Sequence, residues 1–149
     1  EFDLDLAGGA LAQQPPVALV PGIERFRVEL GIDDENEVGD TVTLADYANQ
    51  VVWDDPDDRR FAVNRGDGVP DDNFVVCPAA GCTVEQLVNV VAVQVFLLAR
   101  ASEETPGYVD TKAYSLGSLA VPAFNDSFKR HVFSASVRAY NVAARRETP

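Results

Sequence analysis

Methionine is absent from this chain of 149 residues, histidine and tryptophan occur once each, and cysteine only twice. Each scarcity excludes something. The single imidazole, His131, has no second histidine with which to build a zinc cluster and no G-x-S-x-G segment to activate, so nucleophilic catalysis and H-E-x-x-H metal chemistry lack a footing. Neither a phosphate-cradling loop nor a dinucleotide fingerprint appears, and no enzyme is expected. Basic residues are scarce as well, 12 against 24 acidic ones, for a formal charge of -12 and a pI near 4.3. Such a chain repels a polyanion, so nucleic acid is not an expected partner. No apolar run reaches the roughly 18 residues that span a bilayer. Glu1-Phe2-Asp3 reads as a boundary left by deliberate truncation or by processing, with any targeting or anchoring segment removed.

The length fits one domain over residues 1–149, and 46% hydrophobic content is enough to bury a core. The 10 glycines and 9 prolines then belong to loops. Charge is unevenly spread: Asp33 through Asp72 carry 13 of the 24 acidic residues, whereas Lys129, Arg130, Arg138, Arg145 and Arg146 gather near the end. Residues 33–72 read as a solvated acidic insertion and 142–149 as a polar tail.

Cys77 and Cys82 flank Pro78-Ala79-Ala80-Gly81, a turn that brings two Cα atoms within disulfide reach. The spacing is not C-x-x-C and no second pair accompanies it, which removes zinc and thioredoxin-like redox roles. A small structural disulfide is expected, and with it an oxidising compartment; the alternative is a pair of unpaired buried thiols.

Period-2 alternation of Phe26, Val28, Leu30 and Ile32 with Arg25, Arg27 and Glu29 predicts a strand with one buried face. Val88 to Leu98 is β-branched and apolar on both faces, which predicts a central strand covered on both sides. His131 to Asn141 predicts a last strand, with Phe133, Ala135, Val137 and Ala139 on one face and Ser134, Ser136 and Arg138 on the other. Thr43-Leu44-Ala45-Asp46 and Thr83-Val84-Glu85-Gln86 resemble helix starts. Ser102 to Ala123 reads as a long connection. Trp53, beside an acidic run, has no aromatic cluster around it and is expected to pack rather than bind sugar.

The loop Asn64-Arg65-Gly66-Asp67-Gly68-Val69-Pro70-Asp71 carries the strongest hint of a ligand. Calcium loops alternate oxygen ligands around a glycine that permits a sharp turn. Asp67, Gly68 and Asp71 fit the end of such a loop, but the two earlier positions fall on Val63 and Arg65, which cannot ligate calcium. Asp33 or Asn64 completes the site if the insertion folds back. A calcium site and an ordinary Gly-Pro turn both fit.

Taken in order, these segments resemble the C-terminal part of PilW-type minor pilins of type IV pili, relatives of the J-type pseudopilins of type II secretion. The resemblance rests on Leu19 to Val28 leading into Gly31-Ile32-Asp33, on Gly66-Asp67-Gly68 through Asp71, on Val90 to Arg100, and on Lys129 to Arg138 with Asn141 beyond. The stretch from Asp33 to Asn64 departs from it as an insertion. The resemblance implies an α+β, pilin-like domain: an antiparallel sheet with short helices, lacking the apolar N-terminal helix against which it would lie. It further implies assembly rather than chemistry. Partners would be other pilins and minor pilins and a tip adhesin, with an inner-membrane anchor before assembly and a place in the extracellular filament after it. Lys129, Arg130, Arg138 and the acidic insertion are the expected contacts, opposite charges steering register. The competing readings are a secreted calcium-stabilised binding or adhesion module and a secretion pseudopilin.

Overall fold

The computed structural model describes residues 4–7, 10–13, 20–71 and 74–139. The tail expected over 142–149 lies outside them, as do Asp72, Leu19 and Asn141. Short strands β1 (Leu4–Ala7) and β2 (Ala10–Gln13) pair antiparallel. The main sheet is built from β3 (Ile23–Ile32), β4 (Val90–Arg100) and, after the short hairpin of β5 (Tyr114–Leu116) and β6 (Leu119–Val121), from β7 (Arg130–Arg138). Its order is β3-β4-β7, antiparallel throughout, with the most apolar strand in the centre.

The antiparallel sheet expected from the alternation is present; the α+β label is not. Among the described residues, helix amounts to α1 (Val84–Val88) and a three-residue 3-10 turn, Asp46–Ala48, so the chain is mostly β. The reason is local. At α1 the capping box forms as the sequence predicts: Thr83 Oγ1 accepts from Gln86 N at 3.1 Å, and Gln86 Oε1 accepts from Thr83 N at 3.0 Å. At Thr43 the polarity is reversed, because the Asp46 carboxylate accepts from both the amide and the hydroxyl of Thr43. Only one turn follows. Arg65 closes it by donating to the carbonyls of Asp46 and Asn49 at 2.7 and 2.6 Å.

The two faces of the sheet differ. On one, Leu98 joins Leu116 and Val121 from the β5–β6 hairpin in a buried core, with Phe96, Tyr114, Phe124 and Val132 packed around it. This hairpin lies inside the stretch that reads as a plain connection. Its turn is Gly117-Ser118, and Gly117 sits at φ +59° with its Cα facing the Glu29 carboxylate, where a Cβ would collide. Glu29, 3% exposed, accepts from Arg27 and from the amide and hydroxyl of Ser118 at 2.6–2.8 Å. Burial alone would raise its pKa; the hydrogen bonds of Arg27 and Ser118 outweigh it, and the net shift is downward.

The acidic excursion closes on itself at its base. Asp71 N donates to Ile32 O at 2.9 Å and Val42 N to Asp34 O at 2.7 Å. Within it, Asn36 accepts from the amides of Val38 and Asp40 and donates to Val63 O, so one buried side chain ties three parts of the loop. Val75 then exchanges both backbone bonds with Leu30 at 2.7 and 2.9 Å, covering part of the outer edge of β3.

Candidate interaction surfaces and cation site

The second sheet face is a grid of apolar side chains. Cross-strand register places Phe26, Leu97 and Phe133 in one row, Val28, Val95 and Ala135 in the next, and Leu30, Val93 and Val137 in the third. None of the nine is buried; Val28 and Leu30 are half-buried, while Phe26, Phe133 and Val137 stand open, 64%, 54% and 61% exposed. The central strand is therefore covered on one side here, not on both as its sequence predicts. A contiguous apolar face of this kind marks a contact surface rather than ordinary solvent-facing sheet.

Of the residues expected to ligate calcium, the structure gathers three. Carboxylate oxygens of Asp33, Asp67 and Asp71 lie within 4.8 Å of one another. Asp33 is fully buried at the end of β3, and the missing side chain of Gly66 makes room for its carboxylate. Asn64 is elsewhere: its Oδ1 accepts from Val52 N and its Nδ2 donates to Gln50 O, both at 2.8 Å, which braces the Trp53–Ala62 bridge. Backbone amides already serve each acid. Gly68 N donates to Asp33 at 3.0 Å, Val69 N to Asp67 at 2.7 Å, and the amides of Asp34 and Glu35 to Asp71 at 2.5 and 2.7 Å. Burial raises the pKa of Asp71, the amides of Glu35 and Asp34 partly offset this, and the charges of Asp33 and Asp67 add to the rise, to about 6. Hard oxygen donors at this spacing suit a divalent cation such as calcium, which needs 6–8 oxygens, so carbonyls or water would have to supply the balance.

The three expected contact cations part ways. Lys129 is exposed, its ammonium 5.8 Å from the Tyr108 ring. Arg138 is exposed and donates to Gly68 O at 3.2 Å. Arg130 is corrected from surface contact to interior anchor, because its side chain is 1% exposed and its guanidinium is taken up by Glu24, Asp126 and Asp110 at 2.6, 2.6 and 3.0 Å. It also lies 3.8 Å from the Phe124 ring centroid. The hydrogen bonds it donates to Asp126 and Glu24 raise its pKa against the effect of burial. Asp126 in turn is held at about 2, chiefly by its bond from Arg130. Asp110, 0% exposed, also accepts from the Tyr114 hydroxyl at 2.7 Å; burial would raise its pKa, but these bonds bring it down. Nothing in the composition distinguishes Arg130 from its neighbours, so the sequence does not reveal this network; it forms because Arg130 pairs with Arg100 where β3 begins beside the end of β4, and because Asp110 and Asp126 are joined by a backbone bond of 2.7 Å.

Cys77 and Cys82 are joined in a disulfide, with Cα atoms 4.7 Å apart. The bond closes the turn that leads into α1. His131 is exposed, its ring edge-on to Phe133 at 4.6 Å. No helix among the described residues is long and apolar enough to cross a membrane.

Comparison with protein families matches residues 7–141 to type IV pilus-assembly protein W. Neither the curated proteins nor the solved structures yield a match. The matched span takes in the acidic excursion, the disulfide and all three strands of the main sheet, and on it this chain belongs to the PilW family of type IV pilus assembly.

Proposed function

We propose that this chain is a structural subunit of the type IV pilus, a minor pilin that works by holding sister subunits in the complex at the filament tip that carries an adhesin. Its place is the periplasm before assembly, anchored to the inner membrane through a helix of the pilin type, and the cell surface afterwards. Family membership supports a role in pilus assembly. The observation that carries the finer reading is the nine-residue apolar grid on one face of the sheet. A half-solvated layer of Phe, Val and Leu side chains gains about 25 cal/mol for each Å² of apolar surface that a neighbour covers, so it favours association with an apolar helix or subunit. A catalytic reading has no comparable support.

The test is made in a piliated cell carrying the full-length protein. Phe26→Asp and Val137→Asp each place a charge on an outward-standing member of the grid. Both variants are expected to keep the wild-type circular dichroism and melting temperature, to lose co-purification with the other minor pilins, and to reduce surface piliation. Wild-type co-purification and piliation from both would overturn the reading.

A second reading, a calcium-stabilised secreted module, is favoured by the convergence of Asp33, Asp67 and Asp71. Calcium binding by itself is compatible with the pilus reading, since a cation that rigidifies the excursion leaves the grid open; free secretion is not.

A further inference from the structure

β7 is the last strand of the main sheet, and the phase of its hydrogen bonds can be read from its ends. Ala101 N donates to Lys129 O at 2.8 Å, and Ala139 N to Val91 O at 2.7 Å. The register between β4 and β7 runs without a shift from Arg100↔Arg130 to Ala92↔Arg138. Odd-numbered residues from Lys129 to Ala139 therefore turn their backbone groups toward β4. The N–H and C=O of Val132, Ser134 and Ser136 turn outward. No other described strand pairs with β7 on that side, and Ser134, Ala135 and Ser136 are exposed.

Edges of this kind are ordinarily blunted by proline, a bulge, or a charge in the middle of the strand. The run His131-Val132-Phe133-Ser134-Ala135-Ser136-Val137 has none of these. The other edge of the sheet differs, since Val75 is bonded to Leu30 there.

We propose that the outer edge of β7 receives an extended strand of another polypeptide, apolar at alternate positions and carrying a carboxylate where it passes Arg138. Three observations shape that partner. Its backbone finds the outward groups of Val132, Ser134 and Ser136. Side chains on one of its faces extend the apolar rows at Phe133, Ala135 and Val137. Those on the other face meet an open cavity of about 600 Å³ lined by Val69, Pro70, Phe74, Ala92, Ser136 and Arg138. Strand addition next to a side-chain pocket is how sheet edges gain both affinity and selectivity.

Charge selects the partner. Lys129 to Ala139 contains Lys129, Arg130 and Arg138 and no carboxylate. A second copy paired antiparallel about Ser134 would bring each Arg138 toward Lys129 of its mate, beside an Arg130 already held by Glu24, Asp110 and Asp126, and like charges across strands are unfavourable. Each copy also carries a formal charge of -12, which opposes their approach. A strand with acidic ends carries far less charge than a second copy and meets opposite charge at Lys129 and Arg138. The inference goes beyond the pilus reading, because it follows from backbone geometry and local charge alone.

The test follows backbone amide exchange by NMR on the isotope-labelled chain, with a synthetic ten-residue peptide of alternating valine and threonine bearing aspartate at both ends. Without peptide, the amides of Phe133, Ala135 and Val137 are expected to exchange slowly and those of Val132, Ser134 and Ser136 fast. With peptide, the second set is expected to slow by about tenfold or more, in keeping with the net worth of one backbone hydrogen bond each. Ser134→Pro removes one outward donor while sparing every bond to β4, and should weaken binding about tenfold. Ser136→Glu, which sets a carboxylate against the acidic peptide, should weaken it independently. Three results would sink the proposal: no protection at saturating peptide; equal binding of a lysine-ended peptide; or protection of Ser134 and Ser136 with no peptide present. In the last case, sedimentation separates a second copy (a dimer) from cover by the chain itself (a monomer).

Discussion

Arg130 shows how much one side chain can join. It ties Glu24 at the start of β3 to Asp110 and Asp126 in the connection that precedes β7, so three segments distant in sequence share one buried charge. Removing Arg130 leaves Asp110 buried and uncompensated, a loss of about 3–5 kcal/mol, while the partly exposed Glu24 and Asp126 turn to solvent. The sign of the pH dependence follows from the direction of each shift. Asp126 is lowered from 3.8 to about 2, so its contribution is whole above pH 3.8 and is lost as pH falls through 2. Asp110 and Glu29, also lowered, act in the same sense. Asp71, raised from 3.8 to about 6, acts oppositely: the folded chain holds its proton longer, so stability declines as pH rises across that interval. Melting temperature is therefore expected to peak at about pH 4 to 5 and to fall on both sides. Arg130→Met should lower the melt throughout and flatten the acid limb; a variant whose acid limb matches wild type would show that the network is not its source.

Elements were legible wherever a strong period ran long enough. β3, β4 and β7 follow from alternation and β-branching, and α1 from its capping box, because these signals are local. The β5–β6 hairpin is hidden by its brevity: two runs of three residues carry little periodicity, and the only sign is Gly117-Ser118 between Tyr-Ser-Leu and Leu-Ala-Val. The Thr43 segment misleads for the converse reason, since Thr and Asp at that spacing serve a turn as readily as a helix. The acidic loop lies between these cases. Its Asp67-Gly68…Asp71 pattern points to a cation, but choosing between Asp33 and Asn64 as the remaining ligand requires knowing that residue 33 directly follows a strand that ends beside the loop. A bound calcium ion stabilises the folded chain in proportion to its occupancy. At neutral pH, melts in calcium are expected to exceed melts in chelator by several degrees, and Asp33→Asn should abolish the difference; coincident melts would retire the site.

At the scale of the molecule, the apolar grid governs behaviour in solution. Fluorescence of a dye that reports apolar surface is expected to rise on mixing with the native chain, and to fall when Phe133→Asp interrupts the grid. A native chain that leaves the dye dark would mean that this face is not available to partners. The sequence by itself determined the three long strands, the disulfide turn, the excess of acid and the family, because each is written in neighbouring residues or in their order. The tertiary structure decided which face of the sheet stays uncovered, which cation is buried, which carboxylates meet and which edge is open. Those properties depend on cross-strand register and on where loops return, and two residues far apart in the chain acquire them only when the backbone brings them together.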